Sequence, residues 1–226
     1  YFKQLNQDLK QQGKATQQLI VDAAVLQQNI QQVQQQLAQA QHLQPRLVVK
    51  SLACLELLKL LSAQLKTQRF MVFHQPHIIT MLEHFADADI LLGKPIPAQA
   101  VFDFYALHSA WSNAKIQWLV DTKQRLQQYL AIAQRFGICL AINIEIDVGL
   151  HRGGVQSAAE LTEILTLIQQ HPQQLKFSGL MGYDAHVTKV PSIIKKPQRA
   201  YQQSQQCYAN YQQLIQQQFA SLWHNE

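Results

Sequence analysis

The chain has 226 residues, 47% of them hydrophobic, with 8 Gly and 7 Pro, a balance that excludes disordered and fibrous classes and allows a sizeable core. It contains no apolar run long enough to span a bilayer and opens on no basic-then-apolar signal, so it is read as a protein without a membrane partner. The net charge of +5 raises the question of nucleic acid, but the basic residues are scattered and their one local group, Lys189, Lys195, Lys196 and Arg199, reads as a solvated loop, so no nucleic-acid partner is expected.

Three widely spaced cysteines, Cys54, Cys139 and Cys207, give neither a metal-ligand spacing nor an even disulfide set, which fits a reducing, cytoplasmic setting. The chain begins at Tyr1 rather than Met, so the true start of the gene product is expected to lie upstream. A short helix is predicted over residues 3–12, ended by Gly13. The apolar run Leu19-Ile20-Val21 then leads to Asp22, a plausible N-cap for a long helix over about 23–41. That stretch is crowded with Gln, but Val25, Leu26, Ile30, Val33, Leu37 and Ala40 recur at helical spacing, which makes it an amphipathic helix rather than a low-complexity tract. Residues 1–44 are therefore read as an N-terminal helical segment.

From residue 45 the pattern changes to β-branched or aromatic runs separated by helical stretches. The runs are Arg46–Lys50, Arg69–His74, Asp89–Gly93, Ile116–Asp121, Leu140–Asp147 and Phe177–Tyr183, and the helices fall near 53–66, 77–86, 97–110, 122–136, 157–170 and 198–221. Such alternation means an α/β domain with a parallel sheet, and the nearly all-apolar strands mean that both faces are covered. No Gly-rich dinucleotide turn follows the first strand, and Lys50, His74, Asp121, Asp147 and Tyr183 sit at the C-terminal ends of different strands. Both points favour a (β/α)8 TIM-type barrel, incomplete at about six βα units, over residues 45–226.

Three segments could carry chemistry. Lys50 closes the run Leu47-Val48-Val49; a lysine there either points into an apolar mouth, where desolvation would free its amine for Schiff-base formation, or snorkels at a strand end. In Asn143–Gly154 a strand enters a tight turn holding Asp147, His151 and Arg152. Arg152 could grip a carboxylate or cofactor oxygen, or it could simply pair with Asp147 on the surface. In Phe177–His186 two glycines suggest close approach by a ligand or another backbone, with Tyr183 or His186 beside it; His186 could equally be an ordinary loop histidine.

Leu47–Lys50, Ile144–Gly154 and Gly179–His186 occur in the order seen in pyridoxal-phosphate enzymes of the alanine racemase N-terminal barrel fold. The chain resembles most the branch of D-threonine aldolases and D-serine dehydratases, which the opening Tyr1–Asn6, Leu19–Asp22, Asn29-Ile30 and Asp89–Leu92 also resemble. The turn Asp147–Gly154 is the most specific part. The resemblance implies that Lys50 holds pyridoxal 5'-phosphate as a Schiff base and that Arg152 lies near the cofactor's phenolate oxygen or the substrate. It also implies that Tyr183 stands against the pyridine ring with His186 close by, and that His74 lines the same mouth. The implied activity is a lyase acting at Cα of a D-amino acid, of D-threonine aldolase or D-serine dehydratase type. An amino-acid racemase or a non-catalytic pyridoxal-phosphate homeostasis protein are the alternatives. The branch's lysine is usually flanked by histidines in an R-P-H-x-K-T-H-K pattern, whereas here the segment reads Pro45-Arg46-Leu47-Val48-Val49-Lys50-Ser51-Leu52-Ala53. The family's phosphate loops, and a C-terminal β-domain with its possible divalent metal, are expected outside this chain, so no metal site is expected within it. A homodimer is possible for the full-length protein.

Overall fold

The structure, a computed structural model, describes residues 1–13, 16, 19–40, 42–51, 53–189 and 197–223. Its contacts divide the chain into two compact units, Tyr1–Gln44 and Pro45–Glu226. The first unit holds helices α1 (Phe2–Gln12) and α2 (Ala23–Gln39). The Asp22 carboxylate accepts from the amides of Ala24 and Val25 at 3.0 and 3.1 Å, which satisfies two of the four orphan donors that open α2. Along α2, Leu26, Ile30 and Leu37 lie on the less exposed stripe, whereas Val25 and Val33 face solvent, 50% and 43% exposed, so the apolar face is narrower than the spacing predicts. Leu19, Ile20 and Val21 form no regular element and are exposed.

The second unit alternates strands and helices: β1 (Leu47–Val48), α3 (Leu55–Leu65), β2 (Arg69–Val72), α4 (Gln75–His84), β3 (Asp89–Leu92), α5 (Ala98–Leu107), β4 (Lys115–Val120), α6 (Lys123–Phe136), β5 (Leu140–Ile146), α7 (Ala158–Gln170), β6 (Leu175–Gly182), α8 (His186–Lys189) and α9 (Pro197–Gln218). The six strands form one parallel sheet in the order β1-β2-β3-β4-β5-β6. Sequential order is that of a (β/α)8 barrel, because a doubly wound sheet would reverse direction at a switch point. The chain thus supplies six βα units of a TIM-type barrel. The strands end one or two residues earlier than predicted, so Lys50 lies not in β1 but in a 3₁₀ turn at Val49–Ser51, and His74 opens α4 instead of closing β2.

Register shows what each face does. Phe70, Ile90, Ile116, Trp118, Ile142 and Ile144 point outward under the helices and are almost fully buried. Trp118 donates its indole N–H to the Tyr105 hydroxyl at 3.0 Å, and the Tyr129 hydroxyl donates to the Ile96 carbonyl at 2.9 Å, so the two largest polar aromatics under the sheet are satisfied. Burial, with a small push from the Asp121 carboxylate, raises the Tyr129 hydroxyl to about 12. Truncating Trp118 to Ala would cost about 3–5 kcal/mol.

The opposite face alternates with these residues. Its lower layer is a polar ladder. Arg46 donates to the Asp89 carboxylate at 3.0 Å, the Gln117 amide donates to the same oxygen at 3.0 Å, and the Asn143 amide donates to Gln117 at 3.2 Å. Two residues further along each strand, the same face reaches the rim where the C-terminal strand ends meet.

Candidate active site

The β5 end is the most elaborately built part of that rim. After Ile146 the chain makes a loop whose base is closed by two backbone bonds, Asp147 N–H to Val155 O at 3.0 Å and Val155 N–H to Glu145 O at 2.8 Å. Gly154 makes this closure possible. It has φ +95, and a Cβ there would stand 2.7 Å from the Ile146 carbonyl carbon. Inside the loop the Asp147 carboxylate accepts from the amides of Gly149 and His151 at 2.9 and 3.0 Å and from His151 Nδ1 at 2.7 Å. Burial would raise the Asp147 carboxyl, but these donors outweigh it and hold the group below its ordinary range. Asp147 therefore caps the turn, as one reading of the sequence allowed. Arg152 does not pair with it.

Arg152 stays exposed but reaches back toward the strand end. Its Nη2 lies 3.6 Å from Oε1 of Glu145, and its guanidinium stacks on the Tyr183 ring, 4.2 Å from the centroid. A cation on a flat ring face is favourable, and it leaves the guanidinium's in-plane donors available. Glu145, only 5% exposed, is the residue that sequence reasoning missed. Its signal was present: a charge between Ile144 and Ile146 must lie on the face opposite those isoleucines. Burial raises the Glu145 carboxyl above its ordinary range, and repulsion from Asp121 adds to this, while Arg152 and, more weakly, Lys94 offset it.

His186 opens α8 beside the same loop. Its Nε2 is 3.3 Å from the Ser204 hydroxyl of α9, which donates to the Val148 carbonyl at 2.9 Å. With that hydroxyl proton committed to Val148, Nε2 is assigned as the N–H donor and Nδ1 as the bare acceptor; Nδ1 is buried and has no protein partner among the described residues. Gly149 leaves room for the ring, since a Cβ there would lie 3.2 Å from Nε2.

Lys50 is at the other end of the sheet on the same strand-end rim. It is exposed, which fits the strand-end lysine of the two readings rather than the apolar mouth, because β1 is only two residues long and the chain turns at once into the 3₁₀ segment. Its Nζ lies 4.1 Å from the Phe73 ring centroid, and Phe73 fills the space where Gly93 carries no side chain. His74 stands apart: its exposed ring packs against His77 at 3.8 Å and touches none of the other predicted site residues among the described contacts. The structure thus joins Arg152, Tyr183 and Glu145 directly, seats His186 behind their loop, and leaves Lys50 with Phe73 and His74 with His77. No hydrogen bond or ion pair links the Arg152 cluster, the Lys50–Phe73 pair and the His74–His77 pair to one another among the described residues. Of the basic group, Lys195 and Lys196 lie outside the described residues, as does the Lys189 side chain.

Among the described residues no three His, Cys, Asp or Glu side chains are grouped to hold a metal, and no helix is long and apolar enough to cross a membrane. The family model "Alanine racemase, N-terminal domain" matches residues 21–224. No curated protein sequence matches the chain. Among solved structures, a D-threo-3-hydroxyaspartate dehydratase from Delftia sp. HT23 superposes with TM-score 0.72 at 19% identity, over 90% of this chain and 52% of its own. A histidine racemase from Leuconostoc mesenteroides subsp. sake NBRC 102480 gives TM-score 0.53 at 17% identity, over 71% and 42%. An alanine racemase from Oenococcus oeni gives 0.52 at 17%, over 69% and 40%. The chain spans about half or less of each of these proteins, and at such identities the likeness is one of fold.

Proposed function

From the premise that this chain belongs to the family of alanine racemase N-terminal domains, we propose that it forms the cofactor-holding part of a pyridoxal 5'-phosphate enzyme acting at Cα of a D-amino acid. The observation that carries the reading is Arg152, fixed on the Tyr183 ring with donors to spare, on the same strand-end rim as the Lys50 amine. The residues present fit the cofactor: a primary amine for its aldehyde, a planar cation for an anionic oxygen, and a flat aromatic surface beside that cation. When bound, the cofactor would supply an electron sink that stabilises negative charge at Cα of the substrate.

The chain's own residues then have distinct tasks. Lys50 would hold the cofactor and, once released, take or return the Cα proton at its Nζ. Arg152 would bind the cofactor's phenolate oxygen or the substrate carboxylate through the edge turned away from Glu145. Tyr183 would fix the plane of that guanidinium and flank the site. His186, with Nδ1 a bare acceptor, would take a donor from the ligand side of the β5 loop or hold the loop in place through Ser204 and Val148.

A lyase of D-threonine aldolase or D-serine dehydratase type is favoured over a racemase. The support is coverage: the dehydratase structure accounts for 90% of this chain, the two racemases for 71% and 69%. Treated with pyridoxal 5'-phosphate and then borohydride, the protein should carry one stable adduct, mapped by peptide mass to Lys50, and Lys50→Ala should carry none. An adduct on a different lysine, or none, overturns the assignment. Incubation of the loaded protein with D-threonine and D-serine should release glycine or a keto acid. Inversion of the Cα centre with no cleavage would instead favour the racemase reading.

A further inference from the structure

We propose that Phe73 is a positioning residue for the Lys50 amine, its ring drawing that amine from β1 across β2 toward β3, an inference that rests on the role given to Lys50 above. The register brings the parts together. Val48 pairs with Met71, and Met71 with Leu91, on the face opposite the helices. The Gly93 amide donates to the Val72 carbonyl at 2.8 Å, which carries the β2–β3 pairing past the strand ends. Two residues on from that layer stand Lys50, Phe73 and Gly93, at the ends of three neighbouring strands.

The sizes of the three are complementary. A Cβ on Gly93 would overlap Cζ of Phe73 and stand 2.5 Å from its Cε1, so the outer edge of the ring occupies the place of the missing side chain. The ring therefore leans from β2 onto β3. The Lys50 Nζ rests 4.1 Å from its centroid, and no hydrogen bond or ion pair engages that amine among the described residues. Because β3 lies between β1 and β5 in the sheet, the lean carries the amine along the rim toward the Arg152 side. A cation is attracted to a ring face without a directional bond, so the long stem stays free to swing while the amine keeps one preferred place. Held there, it stands where an aldehyde entering the mouth would meet it. Phe73 is only half-buried, so its ring can be displaced without opening the core.

The test reads the cofactor-free protein first. Reductive methylation with isotope-labelled formaldehyde keeps the charge on each lysine. The N-methyl signal of Lys50, assigned with Lys50→Arg, should lie upfield of the other lysines because of the Phe73 ring current. It should fall back among them in Phe73→Leu, which removes the ring, and in Gly93→Ala, which displaces the ring while leaving Phe73 and Lys50 intact. In the second readout, pyridoxal 5'-phosphate is trapped with borohydride and the Lys50 peptide is quantified over time. The trapping rate at saturating cofactor should fall about threefold in both variants, the size expected of an exposed cation–π contact, with the half-saturating concentration unchanged. A role in packing alone would lower the melting temperature and leave both Lys50 readouts at their parental values, and that result would overturn the proposal. Unchanged or faster trapping would also overturn it, since the ring would then be idle or would restrain the amine instead of presenting it. Should Gly93→Ala fail to fold, Phe73→Leu carries both readouts alone. Failure of the parent protein to trap cofactor on Lys50 would sink the proposed function; the methyl signal needs no cofactor and still decides whether Phe73 places the amine.

Discussion

The two cations that dominate the rim are held in opposite ways. Arg152, on the β5 side, sits on a loop closed by two backbone bonds and capped by Asp147, pairs with Glu145 at 3.6 Å and lies on the Tyr183 ring. Lys50, at the β1 end, follows a two-residue strand, lies exposed in a 3₁₀ turn and rests its amine on the Phe73 ring. The difference fits the two tasks proposed for them. A residue that recognises an anion benefits from being preorganised, since ordering it on binding costs affinity. A residue that attaches to a cofactor and then moves a proton must swing, and a long aliphatic stem over one aromatic ring allows that.

Changes at the built end should therefore be felt in stability, and changes at the loose end should not. The largest effect is expected from Gly154→Ala, because the new Cβ meets backbone at 2.7 Å at a φ of +95; a loss of about 2–3 kcal/mol in chemical denaturation would be read. A loss below about 0.5 kcal/mol would show that the loop base yields easily, and the contrast would weaken.

Next comes Asp147→Asn, with an expected cost of about 1–2 kcal/mol at neutral pH. The Asp147 carboxyl is held below its ordinary range when folded, so its contribution is present above the unfolded value and is lost as pH falls through the folded one. The penalty should accordingly disappear in acid, which denaturation midpoints at pH 7 and pH 3 would check.

Glu145→Gln should go the other way. Its carboxyl is raised on folding, so its contribution is favourable below the unfolded value and is lost as pH rises through the folded one. At pH 7 the Gln variant should be as stable as the parent or more so by about 1 kcal/mol, and the gain should fade towards pH 4. A variant clearly less stable at pH 7 would mean that the ion pair with Arg152 outweighs burial.

The smallest effect is reserved for the loose end. Phe73→Leu should change stability by about 1 kcal/mol or less, because the ring is only half-buried. It should change the rate at which Lys50 reacts with an aldehyde, since the amine would lose its cation–π contact. A large stability loss would place Phe73 in the core and erase the contrast.

Much of this architecture can be read from residue order alone. The nearly all-apolar strands and intervening helices imply six parallel βα units, and the shared rim follows from parallel strands. Asp22 as helix cap and Asp147 as turn cap are legible because short polar side chains at those positions have few other uses. The partner of Arg152 was not legible, because Asp147 is nearer in sequence and only strand alternation points Glu145 inward while the capping bonds consume Asp147. Sequence leaves the surroundings of Lys50 open between an enclosed and an exposed amine, because strand length decides it; β1 stops at Val48, and the next residues turn. His74 reads as part of the strand-end rim, but its partner could not be read, because only the start of α4 at Gln75 brings His77 against it.

The claim at the centre of this account is that Lys50 and Arg152 serve one ligand from two ends of the same rim. A crystal structure of the protein grown with pyridoxal 5'-phosphate tests it most directly. Electron density should run unbroken from the Lys50 Nζ into the cofactor, with the Arg152 guanidinium within hydrogen-bonding distance of the cofactor or of a bound amino acid. Cofactor density that leaves Lys50 free, or that lies beyond the reach of Arg152, would contradict it.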